Sequence, residues 1–360
     1  MSWLPAWVLP NLSIDEPVTS EHVALVSCRD KRLQSAIRKE PAIGKSLGRF
    51  QDEFGVLVSP SVLMISNDAP SSARSVRALA SFRDAVNIAA IVSSHAKVLK
   101  RARGGGIQFS DGFDIYPWMV AKGGGERLVA ITPAVMALHD VNGFCGQSSP
   151  ALPERRLAQY ELDAPLLTEL LARWHRFYSE SDQRSDNLAL FRSLDMARIA
   201  ARMPGGSDAT FLDTGRSVAL WVSAFEILAH QGRSGLRQVL SLFSGVEWER
   251  ERLRAMDQQF QHGRDIVRTN IAGKIYATLN RIRNRFLHGE PVTVDTLILQ
   301  PSGRHILDFA APLYRLALTG FLPLRFGRKM PESNEAKPLG AYISESMAFM
   351  QPQHSAEDEF

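Results

Sequence analysis

Cysteine is scarce in this chain, and its scarcity excludes several classes of protein. Only Cys28 and Cys145 occur among the 360 residues, which rules out a disulfide framework and a zinc site built on cysteine. The nine histidines are not spaced as metal ligands. We therefore expect no metal and no cofactor. The low cysteine content also predicts a protein of the reducing cytoplasm.

Long apolar stretches are also missing. No run approaches the ~18 consecutive apolar residues of a transmembrane helix, so we expect no membrane span. The apolar N-terminus is interrupted by Pro5 and Pro10 and lacks the basic region and small-residue cleavage site of a signal peptide. The net charge of +4 is small, so it permits a polyanionic partner without requiring one.

The first 150 residues predict a mixed α/β domain. Residues 1–20 have no clear periodicity, and we expect an irregular lead-in there. Short β-branched runs at 22–28 and 55–67 predict strands, and a long run with helical spacing starts at Arg74. Two more strand candidates at 107–121 and 126–133 are separated by three consecutive glycines.

The composition changes after a plausible linker at 145–153, and the segment 155–328 predicts an all-helical domain. The tail at 331–360 is polar, and we expect it to be poorly ordered. The predicted fold class is thus α+β, a mixed N-terminal domain followed by a helical bundle. The helical runs begin near Pro165, Asp186 and Thr214, then at Leu236 and Trp248, and finally near Arg264 and His305.

One predicted helix, from about Arg264 to His288, has an unusual end. Gly289 can take the left-handed position that follows a helix, and Pro291 cannot continue the helical hydrogen bonds. His288 is therefore expected at or near the last helical residue, where the helix dipole favours a cation.

The periodicity of this helix separates an apolar face from a polar one. On the polar face, at about 100° per residue, lie Arg281, Asn284 and His288, and Arg285 lies at the edge of the apolar stripe. Asn284 and His288 are four residues apart, so their side chains can meet. Arg283 falls on the other flank. The apolar stripe contains Ile271, Ile275, Leu279, Ile282 and Phe286.

The segment RNRFLHG, residues 283–289, resembles the R-N-x-x-x-H motif of the HEPN superfamily, the all-helical domain of many prokaryotic ribonucleases and toxins. The motif residues would be Arg283, Asn284 and His288. The upstream run SVALWVSAFEILAH is similar to the preceding helix of that superfamily, which often carries an acidic residue, here Glu226. The resemblance covers roughly residues 160–325 and none of the first 150.

The resemblance implies a metal-independent endoribonuclease without a cofactor. Such enzymes cleave RNA by attack of the ribose 2′-hydroxyl on the adjacent phosphate, at a composite site formed by two copies of the chain. His288 would act as general base or acid, and Arg283 would stabilise the transition-state charge. Asn284 would orient one of them, and Glu226 would orient Arg283 or form an ordinary ion pair with it.

Several alternatives stay open at this level. Helical geometry places Arg281 nearer to His288 than Arg283, so either arginine can be the functional one, with Arg281 and Arg285 as auxiliary phosphate contacts. The domain can also be a non-catalytic module that binds RNA or nucleotides or only dimerises, or a scaffold for an unrecognised site in the first 150 residues. The resemblance further implies a role in phage defence or a toxin system, with an antitoxin or regulatory partner.

Overall fold

The computed structural model describes most of the chain but not all of it. The described residues are 2–9, 12–48, 50, 56–99, 118–120, 128–130, 139–141, 157–182, 184–202, 210–229, 235–248, 250–300, 302–327, 329–331 and 336–357. The linker predicted at 145–153 lies outside them, so the domain boundaries at 150 and 155 stay a prediction.

Within these residues the chain is mixed α/β, with strands concentrated at the N-terminus and helices after them, as predicted. The strands are β1 (Trp3–Leu9), β2 (Leu12–Ser13), β3 (Val18–Thr19), β4 (Val23–Val26), β5 (Ser61–Ser66), β6 (Trp118–Val120), β7 (Leu128–Ala130), β8 (His139–Val141), β9 (Leu157–Ala158), β10 (Gln258–His262) and β11 (Asp265–Thr269). The helices are α1 (Lys31–Lys39), α2 (Pro41–Leu47), α3 (Val76–Leu99), α4 (Ala164–Trp174), α5 (Ser185–Ala200), α6 (Phe211–Ala229), α7 (Gly235–Ser244), α8 (Glu251–Arg254), α9 (Ile271–Leu287), α10 (Ala310–Phe321) and α11 (Ala336–Glu357).

The chain divides into two compact units. The first comprises Met1–Asn87, Gln108–Leu162 and Leu170–Asn187. The second comprises Ile88–Ile107, Asp163–Glu169 and Leu188–Phe360. Within the described residues, none of the helices combines the length and the apolar character needed to cross a bilayer.

The first unit contains an antiparallel sheet of order β1-β5-β4-β3. All six residues of β5 are buried, because this strand lies between two others. The sheet contributes to a hydrophobic core together with α1 and α2, whose members are Val8, Ala24, Val26, Leu33, Ala36, Ile43, Leu47, Phe50, Val62 and Met64. Separate short pairings join β2 to β9 in parallel, and β6, β7 and β8 in an antiparallel array.

The prediction of an irregular lead-in at residues 1–20 is wrong, because β1, β2 and β3 form there. Pro5 sits in β1, whose register against β5 shifts between Pro5 and Trp7. Since β1 is at the edge of the sheet, a residue without a backbone N–H is tolerated at that position.

The second unit has a core of aromatic rings contributed by four helices. Phe225 of α6 lies 5.0 Å from Tyr276 of α9 and 5.4 Å from Tyr314 of α10, measured between ring centroids. Phe243 of α7 lies 6.1 Å from Tyr276. Ser193 of α5 hydrogen-bonds the Tyr314 hydroxyl at 2.6 Å, so the buried phenol has a polar partner.

Two helical predictions in this unit are wrong. The segment expected to start the long helix at Arg264 is instead β11, which pairs with β10 as an antiparallel hairpin. Of the helix expected over residues 248–260, only α8 forms. The hairpin loop is Gly263 and Arg264, with Gly263 at φ +61°, and a two-residue loop with positive φ suits such a hairpin. The segment after residue 155 is therefore not purely helical.

The tail was also predicted wrongly, because α11 covers most of it. Phe349 of α11 is buried and receives the Arg315 guanidinium over its ring at 5.3 Å. The Gln353 amide donates a hydrogen bond to the Glu247 carbonyl at 2.8 Å. These contacts are made with residues distant in sequence, so the tail's own composition could not reveal them.

Candidate functional site

The C-terminal end of α9 is the feature on which the candidate site is built. Gly289 adopts φ +70°, the Gly289 N–H donates to the Phe286 carbonyl at 3.4 Å, and the Glu290 N–H donates to the Arg285 carbonyl at 2.9 Å. This is the Schellman arrangement, which confirms the predicted helix stop. His288 is the cap residue and is exposed.

The apolar stripe predicted for α9 is confirmed. Ile271, Ile275, Leu279 and Ile282 are buried, and Phe286 is half-buried at the end of the stripe. The helix begins with Asn270, whose side chain accepts a hydrogen bond from the Gly273 N–H. A buried stripe fixes the rotation of α9, and so it decides which flank of the helix each polar residue occupies.

Arg283 is held between two side chains. Its Nη2 lies 3.1 Å from Glu226 Oε2 of α6, and its Nη1 donates to Asn284 Oδ1 at 2.9 Å. The side chains of Arg283 and Glu226 are 24% and 26% exposed. The ion pair is therefore partly buried and still accessible to solvent. A guanidinium has five N–H donors, which leaves donors free for a further anion.

A line of polar groups continues behind Asn284 on α9. The Asn284 Nδ2 donates to Asn280 Oδ1 at 3.5 Å, and Asn280 is buried. One turn earlier, burial raises the pKa of the Tyr276 phenol, and the charge of Glu226 raises it further. Tyr276 is therefore neutral, so the charges in this cluster are those of Arg283 and Glu226.

Gly235, the first residue of α7, packs directly against Glu226. A Cβ atom at this position would lie 2.8 Å from Glu226 Cγ and 3.0 Å from Glu226 Oε1. Such distances are too short for an alanine methyl group without movement of the carboxylate. Sequence reasoning missed Gly235, because a single glycine carries no sequence signal of what it contacts.

The His288 side chain does not hydrogen-bond Arg283, whose partners are Glu226 and Asn284. Across the described residues, the imidazole makes no hydrogen bond or ion pair. The predicted side-chain contact between Asn284 and His288 is absent, because the Asn284 amide is turned towards Arg283 and Asn280. Only the backbones meet, where the His288 N–H donates to the Asn284 carbonyl at 2.9 Å.

The two other arginines of this segment differ from Arg283. Arg281 is exposed and has no ion-pair partner in the part of the chain that the structure describes. Arg285 Nε lies 3.5 Å from Glu290 Oε2 at the surface. Arg283 is thus the arginine of this segment that a neighbouring helix holds, whereas Arg281 extends from the surface of α9.

Searches of protein-family models, of curated proteins and of solved structures found no match for this chain. No relative therefore supplies an activity or a set of site residues. A proposal of function therefore depends on the chemistry of the side chains described above.

Proposed function

We propose that this protein is a metal-independent endoribonuclease of the HEPN type, acting at a composite site formed by two copies of the chain. The observation that supports this most directly concerns α9. Its Arg283 is held by Glu226 of α6 and by the neighbouring Asn284, and the same helix ends in the exposed His288. This is the set of side chains that the R-N-x-x-x-H resemblance assigns to cleavage.

Arg283 suits the stabilisation of a phosphorane-like transition state. Its guanidinium is fixed on one side by a carboxylate and an amide oxygen. The side chain is therefore already ordered before a substrate binds. Pre-positioned donors of this kind stabilise developing negative charge more than mobile ones do. The Asn284 amide acts here as a positioning group for the arginine.

His288 suits proton transfer, because an exposed imidazole can both accept and donate a proton. Cleavage requires a base that takes the proton of the 2′-hydroxyl and an acid that protonates the departing 5′-oxygen. The products are then a 2′,3′-cyclic phosphate and a 5′-hydroxyl. Two chains facing each other supply two imidazoles, and this arrangement fits the absence of a hydrogen bond between the His288 and Arg283 side chains of one chain.

The test of the proposal is RNA cleavage in the presence of EDTA. We expect the purified protein to cut single-stranded RNA and to leave 2′,3′-cyclic phosphate ends, detected by mass spectrometry. The same oligonucleotide with 2′-O-methyl groups should stay intact, because it has no nucleophile. Cleavage that requires an added divalent ion, or cleavage of the methylated substrate, would overturn the proposal.

A second candidate is RNA binding without cleavage, which the exposed Arg281 favours. Contacts of arginines with phosphates displace counterions, so the affinity should fall with rising salt by about 0.7 log units per contact per log unit of salt. Binding with this dependence, together with an absence of cleavage products, would select this candidate.

Replacing Gly235 with alanine tests whether Glu226 positions Arg283. The methyl group would push the carboxylate away from the guanidinium, and we expect kcat to fall by about 10- to 100-fold, as for a misplacement near 1 Å. Gly340→Ala is a matched control, since a Cβ on that helical glycine meets nothing within 4 Å. A Gly235→Ala variant with unchanged kcat would show that the ion pair is only structural.

A further inference from the structure

Helix α9 is enclosed by its neighbours except along one narrow side. Within residues 271–282 every residue is buried apart from Lys274, Thr278 and Arg281. At about 100° per residue, these three positions fall within about 60° of one another, and His288 lies on the same side at the end of the helix. We call these four residues the α9 stripe, which is about 21 Å long.

The α9 stripe is positively charged and contains no acidic residue. The sequence of α9 has neither Asp nor Glu. Arg285, beside the stripe, is paired with Glu290 of the following loop, but Lys274 and Arg281 make no ion pair within the described part of the chain. The charges of these two side chains are therefore available to an anion from outside the chain.

The hairpin β10–β11 contacts the first residue of the α9 stripe. The Lys274 ammonium donates a hydrogen bond to the Gln259 carbonyl oxygen at 2.6 Å, and Arg268 is the residue opposite Gln259 in the strand pair. Opposite residues of an antiparallel pair have Cα atoms about 5 Å apart. The backbone of Arg268 therefore lies beside the strand on which the stripe ends.

One face of the hairpin is open to solvent. Side chains alternate between the two faces of a strand, and the residues that share a face with Arg268 are exposed, as Arg268 is. They are Gln259, Gln261 and Ile266. The single carboxylate of the hairpin, Asp265, lies on the other face and is paired with Arg237 of α7 at 2.7 Å. Arg268 and the loop residue Arg264 have no ion pair among the described residues, so the hairpin adds two positive charges to those of the stripe.

We propose that the α9 stripe and this hairpin form one binding track for the phosphates of single-stranded RNA, an inference that rests on the proposed ribonuclease function. The cleaved linkage lies at His288, and the strand continues past Arg281 and Lys274 to Arg268 and Arg264. A row of cations that follows the backbone holds a single strand without reading its sequence. The track favours RNA that is long enough to reach the hairpin over short fragments.

The salt dependence of binding tests this track apart from cleavage. A fluorescent 2′-O-methyl oligouridylate of about 12 nucleotides, which has no nucleophile for cleavage, is titrated with the full chain at several salt concentrations. We expect Arg268→Gln and Arg264→Gln each to reduce the slope of log affinity against log salt by about 0.7, since each removes one phosphate contact. Arg268→Lys should keep the slope. Arg192→Gln removes an exposed arginine of α5 and should leave the slope unchanged.

The length of the substrate gives a second measurement, because a dinucleotide at His288 cannot span the stripe. The intact protein should cleave the unmethylated oligouridylate with a lower KM than a dinucleotide. Removing two phosphate contacts with Arg264→Gln/Arg268→Gln should raise the KM of the long substrate by about 10-fold at physiological salt and so reduce this difference.

Three results would overturn the inference. The first is an unchanged salt slope in both hairpin variants. The second is binding of a duplex that depends on Arg268 and is tighter than binding of the single strand. The third is a loss of dimer mass in Arg268→Gln by analytical ultracentrifugation, because the hairpin would then contact a second copy of the chain.

The two proposals fail in distinguishable ways. Unchanged slopes in the hairpin variants, with cleavage that leaves cyclic phosphate ends, would remove the track and leave the ribonuclease. A salt slope that depends on Arg268 and Arg264, without any cleavage of RNA, would remove the ribonuclease and leave a binding site for single strands.

Discussion

Replacing His288 with alanine is expected to lower the rate constant of RNA cleavage by about 10²- to 10⁴-fold, the usual contribution of general acid–base catalysis. The imidazole is exposed at the end of α9 and is not needed for packing, so the variant should fold normally. If two copies of the chain each supply a His288, every site of the variant loses both the base and the acid. Single-turnover cleavage in EDTA measures the effect.

His262→Ala is the matched control for this substitution. His262 is also exposed and lies in β10, and we expect its replacement to leave cleavage unchanged.

Mixing the His288→Ala and Arg283→Ala chains adds a sharper test. A composite site predicts partial recovery of activity in the mixed dimer, whereas near wild-type activity of His288→Ala alone would exclude the histidine from the chemistry.

Removal of Arg315 is expected to have the largest effect on stability. Its side chain in α10 is 1% exposed and pairs with the Asp163 carboxylate, 9% exposed, at 2.5 Å between Nε and Oδ2. It also hydrogen-bonds the hydroxyl of Thr319 and covers the ring of Phe349. Arg315→Ala leaves a buried carboxylate without its cation, which costs about 3–5 kcal/mol of unfolding free energy.

Urea denaturation of the full chain measures this loss. Arg192→Ala, which removes an exposed arginine of α5, is the control and should change the unfolding free energy by less than about 0.5 kcal/mol. Asp163→Asn keeps an acceptor for the Leu166 N–H that Asp163 caps. Comparing the double variant Arg315→Ala/Asp163→Asn with the two single variants therefore isolates the interaction energy of the charge pair. A loss as small as that of the control would mean that the Asp163 carboxylate finds another partner or water once Arg315 is removed.

The end of α9 was predictable because its causes are local. A glycine followed by a proline stops a helix, and a periodic stripe of aliphatic residues orients it, and both follow from neighbours within a few residues. The hairpin β10–β11 was missed by the same method. Each strand has only five residues, QQFQH and DIVRT, and neither alternates apolar with polar residues, so the segment has no strand periodicity to recognise.

Which arginine of this segment is held by another helix was visible only in the tertiary structure. Sequence spacing placed Arg281 nearer to His288, whereas the fold holds Arg283 through Glu226, which is 57 residues away along the chain. The resemblance had named Glu226 as a partner, but the contact of Gly235 with Glu226 and the hydrogen bond between Asn280 and Asn284 carry no sequence signal.

By itself, the sequence determined where α9 ends, which face of it is buried, and which residue types stand at that end. It did so because helical periodicity and the signals that end a helix act over one or two turns. Only the tertiary structure decided that Arg283 is held, that Asn284 turns away from His288, and that Arg315 reaches Asp163 across 152 residues. Those outcomes depend on packing between helices distant in sequence, and that packing also leaves His288 exposed at the end of the helix that carries Arg283.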